Sequence, residues 1–376
     1  MSLTLPGVSE QAAAAIRAAI EARGPIPFSE FMELALYGPG GFYEQPPVGG
    51  EGGHFVTSPH VHPVFGKLLA GAIAEAWRHL GSPRPLHVVE IGAGDGTLAA
   101  QLLGELHGEV PIEYVAIERS PGAREKLRDL PGVRVEASLE VLPQGLTGFV
   151  VANELLDNVP FERIRRTKDG CMQVCVDFRE DSFVEVDIPC DPELEAIFPR
   201  PERDDVRVVP RYKRKVNREF PVSEGALAVI DRVGRLLRLG YALFIDYGDA
   251  TGSAAHGYRA HRVVRDVLAD PGSADITAGV AFDPLVMRAE RWGLEILGPM
   301  SQSHALRGLG IEGWIESERL KQVASIDKRA GRAALKAYDA RQRATQLIDP
   351  DGLGALQWLW LATPGCGWWK GIEELS

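Results

Sequence analysis

The chain has 376 residues, with 41 basic against 52 acidic side chains and a formal net charge of −11. That length suffices for one large domain or two modest ones, and the acidic balance argues against a general nucleic-acid binder, which needs a basic face to neutralise phosphates. The cysteines Cys171, Cys175, Cys190 and Cys366 form no CxxC pair and no metal-ligand spacing, so a reduced, cytoplasmic protein without a metal site is expected. No signal-like leader and no apolar run of spanning length is read, so membrane insertion is not expected. From the N-terminus, residues 11–23 read as a helix, and Ser29 reads as the N-cap of a second helix over 30–36. Residues 37–53 are dense in glycine and proline and read as loop, leading into Phe55-Val56-Thr57-Ser58-Pro59. Such a loop either wraps a ligand or merely connects. Residues 64–80 then carry the apolar period of an amphipathic helix.

The next segment is the most informative. An apolar run, Leu86–Ile91, ends in Gly92-Ala93-Gly94-Asp95-Gly96-Thr97, and a helical pattern with Leu98, Leu102, Leu103 and Leu106 follows. Strand, tight turn and helix make the opening βα unit of a nucleotide-binding sheet. A dinucleotide fingerprint needs its third glycine where Thr97 stands, so that cofactor is not indicated. The order acidic–x–Gly–x–Gly–x–Gly, with Glu90 ahead of it, is similar to the S-adenosylmethionine loop of class I methyltransferases. A carboxylate at Glu90 can pair with that cofactor's ammonium, because no pyrophosphate is there to be repelled. Ile112–Ile117 reads as the second strand and ends at Glu118, where an acid can hold a ribose diol. A short third strand over 133–135 places Glu136-Ala137-Ser138 beside an adenine edge.

Residues 148–152 read as strand four. Residues 161–164 and 172–178 then read as an antiparallel hairpin, with 182–188 as a third strand. A helix over 224–239, a fifth strand over 242–245, a helix over 283–292, C-terminal helices over 313–346 and a last strand over 356–361 complete an α/β pattern. Trp358, Trp360, Trp368 and Trp369 read as packing residues. The basic cluster Arg211, Lys213, Arg214, Lys215 and Arg218 reads as solvated surface or a docking site for an acidic partner. The expected segmentation is an N-terminal helical and glycine-rich covering region (1–80), the first half of the cofactor core (81–160), an inserted β-rich substrate or partner region (161–220), and the second half of the sheet with added helices (221–376).

Ligands of open parallel sheets bind beyond the carboxyl ends of strands. Strand four ends in Asn153-Glu154-Leu155-Leu156-Asp157, and a helix starting at Asn153 would put Glu154 and Asp157 on one face. Two carboxylates there suit a cationic, planar acceptor such as a guanidinium, which they can grip bidentately. Simple capping by Asn153 is the plainer alternative. Asp246 and Tyr247, at the end of strand five, are candidates to line the acceptor site, with His261 in an adjoining loop and Tyr258, Arg259, Asp275 and Thr277 nearby.

Taken in order, Gly41-Phe42-Tyr43, the glycine run into Thr57-Ser58-Pro59, Phe65-Gly66, Glu90 to Thr97, Asn153 to Asp157 with Val159-Pro160, Ile245 to Gly248, Tyr258-Arg259 with His261, and Pro271-Gly272 with Asp275 to Ala278 resemble the MidA family of methyltransferases. The resemblance covers roughly residues 25–300. It implies a class I fold with an added domain, S-adenosylmethionine as cofactor, and methylation of a protein arginine, in the best-known members on a respiratory-complex subunit. It also implies that Thr57 and Ser58 cover the cofactor. His54 and His60 replace acidic residues of the family pattern, and Gly279-Val280-Ala281 replaces His-Val-Asp. The Gly279 and Ala281 departures keep open a small-molecule O- or N-methyltransferase; a cofactor-binding assembly factor with little turnover, using the inserted 161–220 region as an interaction surface, is a third reading. A homodimer is compatible with the sequence.

Overall fold

The computed structural model describes residues 8–44, 56–167, 170–192, 194, 218–248, 255–259 and 262–375. His54, His261 and the basic residues Arg211, Lys213, Arg214 and Lys215 lie outside the described residues. The chain divides into two compact units, one of residues 49–155, 230–247 and 286–376, the other of 1–48, 156–229 and 248–285.

The first of these units is built on a seven-stranded sheet. Its strands are β1 (Leu86–Ile91), β2 (Ile112–Ile117), β3 (Val133–Glu136), β4 (Leu146–Asn153), β5 (Leu237–Asp246), β6 (Glu295–Ser301) and β7 (Gln357–Ala362). They lie in the order β3-β2-β1-β4-β5-β7-β6. The pairs from β3 to β5 are parallel, and β7 runs antiparallel to both of its neighbours. Parallel strands need both faces covered, which is why β4 and β5 read as near-continuous apolar runs. Phe65, Ile73, Val88, Tyr114, Phe149 and Leu243 belong to one buried cluster that also takes in Trp358 and Trp360. Both tryptophans are fully buried. This is a mixed α/β class I sheet, as the alternating pattern predicts.

The main departures from the sequence reading lie around β5 and β6. The helix expected over 224–239 ends at Leu236, and β5 begins at once with Leu237. The edge strand β6 was not foreseen; its pairing with β7 shifts register between Leu297 and Met300, around Gly298-Pro299.

In the other unit, Gly170–Arg179 pairs antiparallel with Glu162–Thr167, Ser182–Pro189 and Ile26–Pro27, and Arg218–Val222 continues the sheet beyond Glu162–Thr167. The expected hairpin and third strand are therefore present. Helices Val8–Arg23 and Phe28–Tyr37 belong to the same unit. Ser29 does not cap the second helix: Pro27 holds the N-cap position, and the Ser29 hydroxyl instead donates to Glu162. A small sheet of Arg262–Val264, His256–Arg259 and Asp275–Thr277 completes the unit.

In the seven-stranded sheet, Gly240 of β5 pairs with Gly148 of β4. A Cβ at Gly240 would lie 1.9 Å from the Gly148 carbonyl oxygen, and its φ is +148°. Gly240→Ala is expected to cost about 3 kcal/mol or more through this clash and strain. Denaturant unfolding of parent and variant measures that loss.

Candidate active site

At the carboxyl end of β1 the chain turns through Gly92, Gly94 and Gly96 with φ of 75°, 55° and 83°. Only glycine adopts such angles without strain. A side chain at Gly92 would also strike Leu155, and one at Gly96 would strike Leu130, so these glycines let the loop pack tightly. A Cβ at Gly94 would meet nothing within 4 Å, which leaves that part of the loop open to a ligand. The loop is held from β2: the Gly92 and Ala93 amides donate to the Ile117 carbonyl, and the Gly94 amide donates to Glu118 Oε2 at 2.8 Å. The other Glu118 oxygen accepts from the Ser120 amide at 2.7 Å. Burial pushes the Glu118 carboxyl up, against the pull of these amides.

Glu90 is 3% exposed. It accepts the Tyr114 hydroxyl, and burial lifts its carboxyl to about 8, with Glu118 and Asp95 adding repulsion. A cation arriving here would draw Glu90 back to its ionised form.

At the end of β4 the structure departs from the expected helix. The strand runs through Asn153, Glu154 takes a left-handed φ of 51°, and only a short 3₁₀ turn, Leu156–Asn158, follows. Asn153 therefore caps no helix, and the one-face argument for Glu154 and Asp157 does not hold. What fixes Glu154 is tertiary. Its amide donates to the Ile245 carbonyl, and its Oε1 accepts the Ser58 amide at 2.9 Å and Asn153 Nδ2 at 3.1 Å. Asp246 is fully buried and accepts the amides of Leu155 at 3.0 Å and Tyr247 at 2.8 Å, so it holds this turn in place. Tyr247 is exposed.

Ser58 opens a short helix, Ser58–Val61, that Thr57 precedes. The Thr57 hydroxyl lies 2.8 Å from His60 Nδ1, and His60 Nε2 lies 2.9 Å from Asp95 Oδ2. Burial works against the Asp95 charge, yet bonds from His60 and Thr97 hold its carboxyl down at about 2. The Ser58 hydroxyl meets the Gln302 side chain, a partner no local pattern announces. Thr57, Ser58, the glycine loop and Glu154 are thus brought together. Ser138 lies at the far edge strand, where it caps Leu139–Val141 through the Glu140 amide.

Asp157 belongs to the other unit. Its Oδ2 accepts the Thr277 hydroxyl at 2.8 Å, while Asn158 Nδ2 and the Tyr43 hydroxyl donate to Asp275 Oδ1 at 2.9 and 3.0 Å. Burial lifts Asp157 to about 6; burial and the Asp157 charge lift Asp275 to about 8. No metal-binding group of histidine, cysteine or carboxylate side chains occurs among the described residues.

The donor set beside the glycine loop fits S-adenosylmethionine. Asn153 Oδ1 is buried with no hydrogen-bond partner among the described residues, and an ammonium would satisfy it. Glu118 stands at the end of β2, where the open-sheet rule puts a ribose.

Comparison with known proteins agrees. A family model described as "Putative S-adenosyl-L-methionine-dependent methyltransferase" matches residues 68–300. The chain is 29% identical over 328 residues to the mitochondrial protein arginine methyltransferase NDUFAF7 of Xenopus tropicalis, covering 78% of this chain and 74% of that one. It is 30% identical over 339 residues to the Bos taurus protein of the same name, covering 78% and 72%. A crystal structure from Burkholderia thailandensis bound to S-adenosyl-homocysteine superposes with a TM-score of 0.77 at 28% identity, covering 99% of this chain and 96% of that one. The MidA resemblance read from the ordered motifs is borne out.

The raised Glu90 carboxyl has a consequence for stability. Between its ordinary value of 4.5 and about 8 the folded protein holds a proton the unfolded chain has lost. This contribution is therefore complete below the ordinary value and is lost as pH rises through about 8. Glu90→Gln removes the ionisation, so its Tm relative to the parent should rise by roughly several degrees from pH 5 to pH 9. Calorimetric scans across that range check it; a constant difference would refute the assignment.

Proposed function

We propose that this chain, which belongs to the matched family of S-adenosyl-L-methionine-dependent methyltransferases, transfers methyl to a protein side chain, with arginine the leading acceptor. The reading rests on Glu154. A left-handed φ of 51° on a non-glycine residue costs about 1–3 kcal/mol, and such strain gathers at functional sites. Here the strain turns a carboxylate off the end of β4, fixed by the Ser58 amide and Asn153. A fixed carboxylate suits a guanidinium, whose N–H fork it can orient so that one terminal nitrogen is left for the methyl. The arginine methyltransferase names of relatives at 29–30% identity support the same acceptor.

When bound, the cofactor supplies an electrophilic methyl on a sulfonium sulfur. In the proposed assignment Gly92, Ala93, Gly94 and Gly96 give it a backbone surface, Glu90 and Asn153 receive its ammonium, and Glu118 takes the ribose hydroxyls. Ser138 meets the adenine edge, and Thr57 and Ser58 cover the site. Tyr247 and His261 are assigned to the acceptor, Asp246 to support of the Glu154 turn, and Asp157 to the second carboxylate role. A respiratory-complex subunit is one protein acceptor of this kind. The cysteines are all free, which supports a reducing compartment.

A small-molecule acceptor is the second reading. It is favoured by a small apolar cleft in the unit that holds Asp157, lined by Gly279 and Ala281 among others.

Glu154→Gln and Asp157→Asn are each expected to lower transfer about 10²-fold or more, with cofactor affinity by calorimetry nearly unchanged. The assay incubates protein with methyl-tritiated S-adenosylmethionine and cell extract. Label recovered as methylarginine from a protein band supports the reading. Label confined to small molecules selects the second, and parental rates in both variants overturn the site assignment.

A further inference from the structure

Helices Ile311–Asp327 and Gly331–Gln346 are joined through residues 328–330, with Arg329 at a φ of 54° in the turn. So short a connection makes the two antiparallel neighbours. Buried Ile311 and Glu318 mark the inner face of the first, and buried Ala334, Ala337 and Ala344 that of the second. At about 100° per residue, Val323 and Ile326 lie roughly 140° and 80° around from Glu318, and Leu335 and Tyr338 roughly 160° and 100° around from Ala337. All four rotations run in one sense, which in an antiparallel pair means one side of the hairpin. Among the described residues Leu335 and Ile326 are the most exposed large hydrophobics, at 70% and 57%.

The same tip is basic in a chain of net charge −11. Arg319, Lys321 and Arg343, further along the helices, pair with Glu316, Glu318 and Asp339. Lys328, Arg329, Arg332 and Lys336 are exposed, and none has a carboxylate within ion-pair reach among the described residues. Apolar side chains left in water beside unpaired cations fit a partner that is anionic outside and apolar beneath. A second copy of the chain fits poorly, since a self-complementary contact would set these cations against each other.

We propose that this hairpin tip docks the protein peripherally on an anionic lipid surface, with its cations among the headgroups and Ile326 and Leu335 in the interfacial layer. No described helix is long and apolar enough to cross a membrane, so the attachment is superficial. The net charge of −11 then orients it, because an anionic surface repels the chain as a whole and attracts the tip.

Flotation of the full chain with vesicles tests this. Binding is expected to phosphatidylcholine–phosphatidylglycerol vesicles and not to pure phosphatidylcholine, and it should vanish in 1 M salt, where screening acts within about 3 Å. Lys328→Gln with Arg332→Gln should weaken it roughly 25-fold, at about fivefold per cation. Leu335→Ser with Ile326→Ser should weaken it about tenfold or more. Unchanged S-adenosylmethionine affinity shows that the variants are folded. Absence of binding to anionic vesicles at low salt overturns the proposal, as does binding that survives both double variants. Sedimentation equilibrium giving a dimer that Leu335→Ser dissolves, without vesicle binding, would assign the face to a second copy instead.

Discussion

The parallel pairing of β1 with β4 and of β4 with β5 is the constraint on which the candidate site of this protein depends. Parallel strands must all end on the same edge, so the Gly92–Gly96 loop, the Asn153–Glu154 turn and Asp246 emerge side by side although more than a hundred residues of chain separate some of them. The close approach of Gly148 and Gly240 keeps that register, because any side chain at Gly240 would push β4 and β5 apart. Once the register is set, the Glu154 amide finds the Ile245 carbonyl and the Leu155 amide finds Asp246, and the strained turn has nowhere else to go.

Burial gives the carboxylates on this edge different properties from similar positions. Asp246 is buried against the Leu155 and Tyr247 amides, which makes it a clamp for the turn. Glu90 is buried against a tyrosine hydroxyl, and burial lifts its carboxyl to about 8. Asp95 keeps its charge through His60 and Thr97. In this chain the Thr57–His60 segment is tied to the glycine loop through the imidazole, which meets Thr57 through Nδ1 and Asp95 through Nε2.

The sheet was legible in the sequence because its signals are local. Leu86–Ile91 and Ile112–Ile117 are bounded by turn residues and match the observed strands residue for residue. The glycine loop was legible because backbone angles open only to glycine leave their mark in composition. What failed were places where tertiary contacts overrode a local signal. Asn153 followed by acids resembles a helix start, but β4 claims Asn153 and the next residue turns left-handed. Residues 295–301 received no strand, and Gly298-Pro299 lies where the pairing of that edge strand shifts register.

By itself, the sequence determined the class of fold, the cofactor loop, and the candidate carboxylates, since apolar period, turn chemistry and motif order are written in consecutive residues. Only the tertiary structure decided what those carboxylates touch. The bond from the Ser58 amide to Glu154 joins residues 96 apart, the contact of Gln302 with Ser58 spans 244, and neither is specified by any local pattern. The same holds for the hairpin tip, whose apolar and basic residues are unremarkable in the sequence. They become a surface when antiparallel packing turns them to one side and leaves them in water.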